Sequence, residues 1–267
     1  MRPAGRLVEV LLLALLPAAA AFAASAAPPA AVTPPSADHW GALESRIESG
    51  YFQQDAAALE SLAATLAGSR GNPASDEKDA EWRSYYSALL AYRLALLAQN
   101  DETRAWPYTE RCVDDLNHAL VLDTASAEAL ALQSACLALQ SRLDPWRSPF
   151  AAPLSRARID KALRLAPRNP RVLLLGARSA YDRPQLFGGD RQQGFDLLQR
   201  AASAFERQRA HAGGWPDWGA ADAFTDLAKD YLTRGDAVAA RNVLERALLV
   251  APHFAQARQL MAQIVSG

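Results

Sequence analysis

The sequence predicts an all-α protein, a solenoid of about five stacked helix pairs that ends in a C-terminal capping helix. Three observations favour this class. Alanine and leucine dominate an apolar content of 50%, whereas the β-branched residues typical of strands are scarce. Apolar residues recur at helical spacing along most of the chain. Short breaks rich in glycine, aspartate and proline separate these periodic segments.

The N-terminus has the features of an export signal. Arg2 and Arg6 give the N-terminus a positive charge. The apolar run that follows, residues 7–16, is shorter than the ~20 residues of a membrane-spanning helix. Small residues come next, with cleavage sites after Ala23 or Ala26. We therefore expect a signal peptide over residues 1–26 and a periplasmic protein without stable membrane insertion after cleavage. The alternative is an uncleaved anchor.

Residues 27–37 are rich in proline and alanine, which indicates an extended tether. Residues 38–267 form the predicted repeat domain. We expect its helix pairs at about 38–67, 76–122, 126–165, 170–209 and 219–250, followed by a capping helix at 255–265.

The clearest pair spans residues 220–250, where large and small apolar residues alternate on facing helices. They are Phe224, Leu227, Ala228 and Tyr231 in the first helix, and Ala240, Leu244 and Ala247 in the second. Gly235 and Asp236 break the pair, and Pro252 ends it. In this order the residues resemble the tetratricopeptide signature. The resemblance implies a right-handed solenoid whose first helices line a concave, partner-binding face.

Two insertions extend the resemblance. The segments YDRPQLFGGD (residues 181–190) and HAGGWPDWG (residues 211–219) are similar to those of a group of exported bacterial tetratricopeptide proteins to which no activity is assigned. A fainter similarity is to the tetratricopeptide component that accompanies TRAP-type solute transporters. Each insertion has two interpretations. The FGGD segment of the first is either a phosphate-binding loop or a turn between two helices. Trp215 and Trp218 of the second either form a binding lip or pack into the core.

Charge and motif content exclude several function classes. A net charge of −1 argues against nucleic acid and against a polybasic membrane patch. The four histidines are scattered, and no pattern of metal ligands or catalytic nucleophile occurs. We therefore expect no metal, no cofactor and no enzyme activity.

The leading functional hypothesis is a periplasmic scaffold or adaptor that binds a protein or peptide segment in the concave groove. The register places six polar groove residues there: Arg83, Arg171, Arg178, Tyr181, Asp226 and Lys229. The first alternative is a transport accessory that captures a small solute or a solute-binding protein, which an enclosed pocket would favour. The second is an enzyme with an unrecognised site, which a buried ionisable cluster with shifted pKa values would favour.

Cys112 and Cys136 are the only cysteines, and each lies twelve positions from Thr124 in the connection between their helices. An antiparallel hairpin brings both to the same height, and export permits a disulfide. The alternative is two buried thiols. With the bridge, we expect thiol counting of the natively exported, denatured protein to give zero. A count of two would contradict the bridge.

Overall fold

The computed structural model of the chain describes residues 37–68, 76–147, 149–210 and 216–266, and all regular secondary structure in these ranges is helical. The expected signal peptide, its cleavage sites and the tether up to residue 36 lie outside the described residues, as does Trp215. Residue 37 belongs to the first helix rather than to the tether. None of the described helices combines the length and apolar character that crossing a bilayer requires.

Eleven α-helices lie in the described ranges, and they confirm the predicted helix pairs and the terminal helix. They are α1 (Ala37–Phe52), α2 (Ala56–Gly68), α3 (Glu77–Leu97), α4 (Glu102–Leu122), α5 (Ala127–Leu143), α6 (Ala151–Leu165), α7 (Pro170–Asp182), α8 (Arg191–Ala210), α9 (Ala220–Thr233), α10 (Ala237–Val250) and α11 (Ala255–Ser266). Each odd-numbered helix up to α9 packs against the even-numbered helix that follows, and α5 also packs against α7. The fold is a helical repeat.

Local sequence signals determine where several helices begin. The side chains of Asp76, Asp101, Asn169 and Asp236 each accept a hydrogen bond from a backbone N–H in the first turn of the next helix. Such a cap satisfies one of the N–H groups that has no partner within the helix. Short polar breaks therefore divide an almost continuously helical chain into pairs.

The pair α9–α10 shows how small residues bring two helices together. Phe224 in α9 and Leu244 in α10 are almost fully buried, and Ala240 and Ala247 flank Leu244 without exposed surface. Gly235, with φ 79°, makes the left-handed turn between the helices that glycine favours. Burying one such leucine stabilises the fold by about 2 kcal/mol.

The FGGD segment is a turn between α7 and α8. A Cβ atom on Gly189 would lie 1.8 Å from the carbonyl oxygen of Arg183, so only glycine fits there. Asp190 accepts the backbone N–H groups of Gln192 and Gln193 at 2.8 and 3.1 Å and so caps α8. The glycines therefore serve the connection between the helices.

Cys112 of α4 and Cys136 of α5 are bonded as a disulfide in the structure, with their Cα atoms 6.2 Å apart. Both side chains are fully buried. The bridge joins two successive helix pairs.

We expect Leu244→Ala to lower the free energy of unfolding by about 2–5 kcal/mol, since it leaves a cavity between α9 and α10. Leu249→Ala is the matched control in the same helix, because that side chain is 77% exposed, and its effect should stay within about 0.5 kcal/mol. Urea unfolding measures both. Equal losses of unfolding free energy in the two variants would contradict the packing of α9 against α10.

Candidate functional site

A line of six alternating charges crosses the interior of the repeat, and we call it the charge chain. In order it consists of Glu48, Arg93, Asp222, Arg178, Asp226 and Lys229. Three basic and three acidic side chains alternate along it. It joins α1, α3, α7 and α9.

Arg93 is the centre of this arrangement, and its side chain has no exposed surface. Its guanidinium donates to both carboxylate oxygens of Glu48 at 2.8 and 2.7 Å, and to both of Asp222 at 2.9 and 2.7 Å. The ring of Tyr51 covers it, with the guanidinium carbon 4.1 Å from the ring centroid. Such paired geometry is what a buried arginine requires.

Arg178 continues the chain toward the surface. It donates to Asp226 at 2.8 Å, to Asp222 at 3.0 Å and to the hydroxyl of Tyr92 at 3.2 Å. Lys229 then donates to Asp226 at 2.8 Å, and its side chain is 42% exposed. Only this last member of the chain reaches well into solvent.

The pKa values of the buried carboxyls differ because their cationic partners differ. Burial raises the pKa of Glu48 to about 7, although Arg93 opposes the shift. Burial also acts on Asp222, but Arg93 and Arg178 together hold the pKa of that carboxyl well below its usual range. Glu48 is therefore the member of the chain that titrates near neutral pH.

Helix α1 is hydrogen-bonded to α3 and to the segment before α9. Glu44 accepts the Tyr86 hydroxyl and the backbone N–H of Asp217, each at 2.8 Å. Trp40 stacks on Tyr86 with the ring centroids 5.6 Å apart. The N-terminal helix is thus tied to α3 and to the start of the last pair.

Trp218 belongs to the same packed region. It is 2% exposed, and its indole N–H donates to the hydroxyl of Tyr85 at 2.9 Å. Trp218 therefore packs in the core and does not form a binding lip. The neighbouring Trp215 lies outside the described residues.

A cavity of about 360 Å³ opens beside the charge chain, lined mainly by odd-numbered helices. Its apolar and aromatic lining consists of Tyr51, Tyr92, Leu96, Ala135, Ala138, Leu139, Leu175, Tyr181 and Leu198. Arg142, Arg191 and Lys229 add positive charge, and Asp182 and Asp230 add negative charge. A second trough of about 370 Å³ shares Tyr51 and Gln99 with the first, so the two are neighbours.

Four of the six predicted groove residues line this cavity: Arg178, Tyr181, Asp226 and Lys229. The other two do not. Arg171 is buried and pairs with Glu128 at 2.9 Å, and Arg83 pairs with Asp79 at 3.2 Å. The role of all six in binding a partner stays a prediction. The structure adds that Arg178 and Asp226 form an ion pair with each other.

Sequence reasoning missed Glu48 and Arg93, and it did not identify Asp222 as the partner of a buried arginine. A signal for Arg93 was present, because it is the only charged residue in the otherwise apolar stretch 88–97. A charge within an apolar face must find a partner when the face is buried. Its partners lie 45 and 129 residues away, and no local pattern identifies them.

The buried ionisable cluster is the feature expected of an enzyme, but its geometry is that of a closed network. Every member of the charge chain has an oppositely charged partner within 3.0 Å. Structural ion-pair networks shift pKa values as catalytic groups do. In the ranges that the structure describes, no group of three or more His, Cys, Asp or Glu side chains is arranged to hold a metal ion.

The fold is similar to that of the HusA haemophore from Porphyromonas gingivalis, with a TM-score of 0.52 and 22% sequence identity over 70% of this chain and 90% of that chain. At this identity the likeness shows the fold alone. No protein-family model matches the chain, and no curated protein matches it. The helical-repeat fold is therefore shown, and the tetratricopeptide assignment stays a prediction.

The raised pKa of Glu48 predicts a pH dependence of stability. Between its ordinary value of 4.5 and about 7, the folded protein holds a proton on Glu48 that the unfolded chain has lost. Its contribution to stability is therefore complete below pH 4.5 and is lost as the pH rises through about 7.

We expect the wild type to lose stability relative to Glu48→Gln between pH 5 and pH 8, by on the order of 2 kcal/mol. The glutamine cannot ionise, so it serves as the pH-independent reference. Urea unfolding at several pH values gives the difference. A stability difference between the wild type and Glu48→Gln that does not change with pH would contradict the raised pKa of Glu48.

Proposed function

We propose that the protein is an exported binding protein that holds a compact amphipathic ligand in the cavity beside the charge chain. The observation that carries this proposal is the cavity itself. Its volume of about 360 Å³ lies within the range of roughly 300–1,000 Å³ typical of small-molecule sites. Its lining combines apolar and aromatic side chains with charged and polar ones, and polar groups of this kind fix the orientation of a bound ligand.

The lining indicates the chemistry of the ligand. Tyr51, Leu96 and Tyr181, which are only partly buried, offer surface to an apolar or aromatic body. Arg142 and Lys229, whose side chains are 48% and 42% exposed, offer donors to an acidic group. We therefore propose a ligand with a flat apolar body and at least one carboxylate.

The charge chain supports such binding by fixing the cavity wall. Arg178, Asp226 and Lys229 belong both to the chain and to the cavity lining. Their side chains are positioned before a ligand arrives, which lowers the cost of ordering them on binding. This arrangement serves binding, and we propose no catalytic step for it.

Haemin is the first ligand to test. The solved structure with a similar fold is called a haemophore, and haemin combines a flat macrocycle with two carboxylates. Tyr51, Tyr92 and Tyr181 line the cavity, and tyrosine is one of the side chains that ligate haem iron. We propose haem, or another planar ligand of this kind, as the cargo.

A peptide segment is the second candidate, which keeps the scaffold or adaptor hypothesis. The two neighbouring troughs, of about 360 and 370 Å³, share lining residues and so favour a ligand longer than one cavity. The carboxylate end of a peptide would meet the same cations. Displacement of bound haemin by acidic peptides would distinguish this candidate from an exclusive haem site.

The test compares two tryptophan substitutions in the full chain. Ala138→Trp places a large ring in the cavity, because Ala138 lines it. Ala157→Trp is the matched control on α6, where the side chain is exposed. Titration of each protein with haemin, followed by visible absorbance, gives the dissociation constants.

We expect Ala138→Trp to weaken haemin binding by at least about tenfold, or about 1.4 kcal/mol, while Ala157→Trp binds like the wild type. Unchanged thermal unfolding of both variants would show that the fold is kept. Equal affinity of the two variants would place the ligand elsewhere. No binding by the wild type would remove haemin as the ligand.

A further inference from the structure

A second cavity, of about 470 Å³, lies between α8 and the turn that joins α6 to α7. In the part of the chain that the structure describes, it shares no lining residue with the cavity beside the charge chain. One wall is a stripe of α8 formed by Asp196, Arg200, Ser203 and Arg207, and the turn contributes Arg168. We call this cavity the arginine groove.

Helical periodicity places the polar stripe on one side of α8. Its four residues follow each other at intervals of three or four positions, which puts their side chains on one face of a helix. All four are exposed. The apolar face of the same helix, with Leu198, Ala201 and Phe205, is buried. Burial of that face therefore directs the polar stripe toward solvent.

The groove lies in a basic part of the chain. Residues 151–210 contain twelve basic and five acidic side chains, whereas residues 38–150 contain nine basic and seventeen acidic ones. The net charge of −1 conceals this separation. The lining itself carries three arginines and a single carboxylate, Asp196, which accepts the side-chain amide of Gln192 at 2.9 Å. The groove therefore attracts anions.

Arg168 and Arg200 are available to such an anion. Both are exposed, and among the described residues neither is ion-paired with a carboxylate. Glu206, which lies on the same helix as Arg200, pairs instead with Arg246 at 2.6 Å. The charges of Arg168 and Arg200 are thus not neutralised by a neighbouring side chain.

One contact holds Arg200 in place. Its guanidinium donates to the carbonyl oxygen of Pro167 at 2.9 Å, directly before Arg168 in the chain. This bond brings Arg200 and the backbone of Arg168 together at one end of the groove. A guanidinium has five N–H donors, so Arg200 keeps donors for a ligand.

The length of the groove indicates the form of the anion. Arg200 and Arg207 are seven positions apart on α8, which corresponds to about 10 Å along the helix axis. A single phosphate or carboxylate is too short to contact both ends. A chain of linked phosphates carries negative charge on every unit and so meets each arginine in turn.

We propose that the arginine groove binds a chain of linked phosphate groups, either free or carried by a nucleoside. Arginine donates to two phosphate oxygens at once, and the side chains of Ser203 and Gln199 add neutral donors to the lining. An acidic peptide would need room for its backbone besides its carboxylates. The proposal is independent of the ligand in the cavity beside the charge chain.

The experiment is calorimetric titration of the full chain in a buffer without phosphate or divalent cations. Tripolyphosphate, ATP and inorganic phosphate are the probes. The groove variant is Arg168→Gln with Arg200→Gln. Its matched control is Arg46→Gln with Arg258→Gln, two exposed arginines of α1 and α11. Both variants lose the same charge.

We expect the wild type and the control to bind tripolyphosphate, and the groove variant to bind it at least about tenfold more weakly. Inorganic phosphate should bind at least about tenfold more weakly than tripolyphosphate, and added salt should weaken binding. Tighter binding of tripolyphosphate than of ATP would assign a free phosphate chain, and the reverse order a nucleotide.

Three results would overturn the proposal. They are equal weakening in the two double variants, inorganic phosphate bound as tightly as tripolyphosphate, and no binding of either chain by the wild type. The first would show attraction by the overall charge alone.

Ser203 provides a second test that leaves the bond between Arg200 and Pro167 intact. Ser203→Glu adds a carboxylate to the groove, and Ser203→Gln is the uncharged variant of similar size. We expect Ser203→Glu to bind tripolyphosphate at least about tenfold more weakly than Ser203→Gln, with the same thermal unfolding. Equal affinity of the two would place the phosphates outside the arginine groove and contradict the proposal.

Discussion

The bonding of Arg93 is the interaction on which the rest of the structure depends. Its buried guanidinium holds Glu48 of α1 and Asp222 of α9, which are 45 and 129 residues away in sequence. In most repeat proteins each unit contacts only its neighbours. Here the second helix pair is bonded to the first and to the fifth. The repeat therefore has a long-range constraint that stacking alone does not supply.

This constraint determines which charges remain for a ligand. Within the chain, Asp222 is surrounded by Arg93 and Arg178, and only Lys229 at the far end is substantially exposed. Within the chain, Lys229 therefore supplies the donor for an acidic ligand, while the inner pairs fix the wall. Arg142, which is held by Gln99 and Asp182 outside the chain, adds a half-exposed guanidinium. The same pairing explains why a charge reversal at Arg178 would test folding rather than binding, since it would place a third carboxylate beside Asp222 and Asp226.

Helical periodicity was enough to predict the helix pairs, because each pair buries its own apolar face and is bounded by local signals such as Gly235 and Asp236. The register also placed Arg178 and Lys229 on the face where the cavity lies. Helical periodicity did not predict the contacts between residues that lie far apart in the sequence. Nothing in the sequence around Arg93 identifies Asp222 as its partner, and nothing in α1 identifies Glu44 and Glu48 as partners of α3.

Hydrogen–deuterium exchange of Arg93→Met tests the central claim most directly. Arg93 does not line the cavity. Its loss leaves Glu48 without a cation, whereas Asp222 keeps Arg178, and breaking a buried pair in this way costs about 3–5 kcal/mol. If the charge chain holds the repeat together, amide protection falls in both α1 and α9, although they are far apart in sequence. Wild-type protection in both helices, with unchanged stability, would contradict the account.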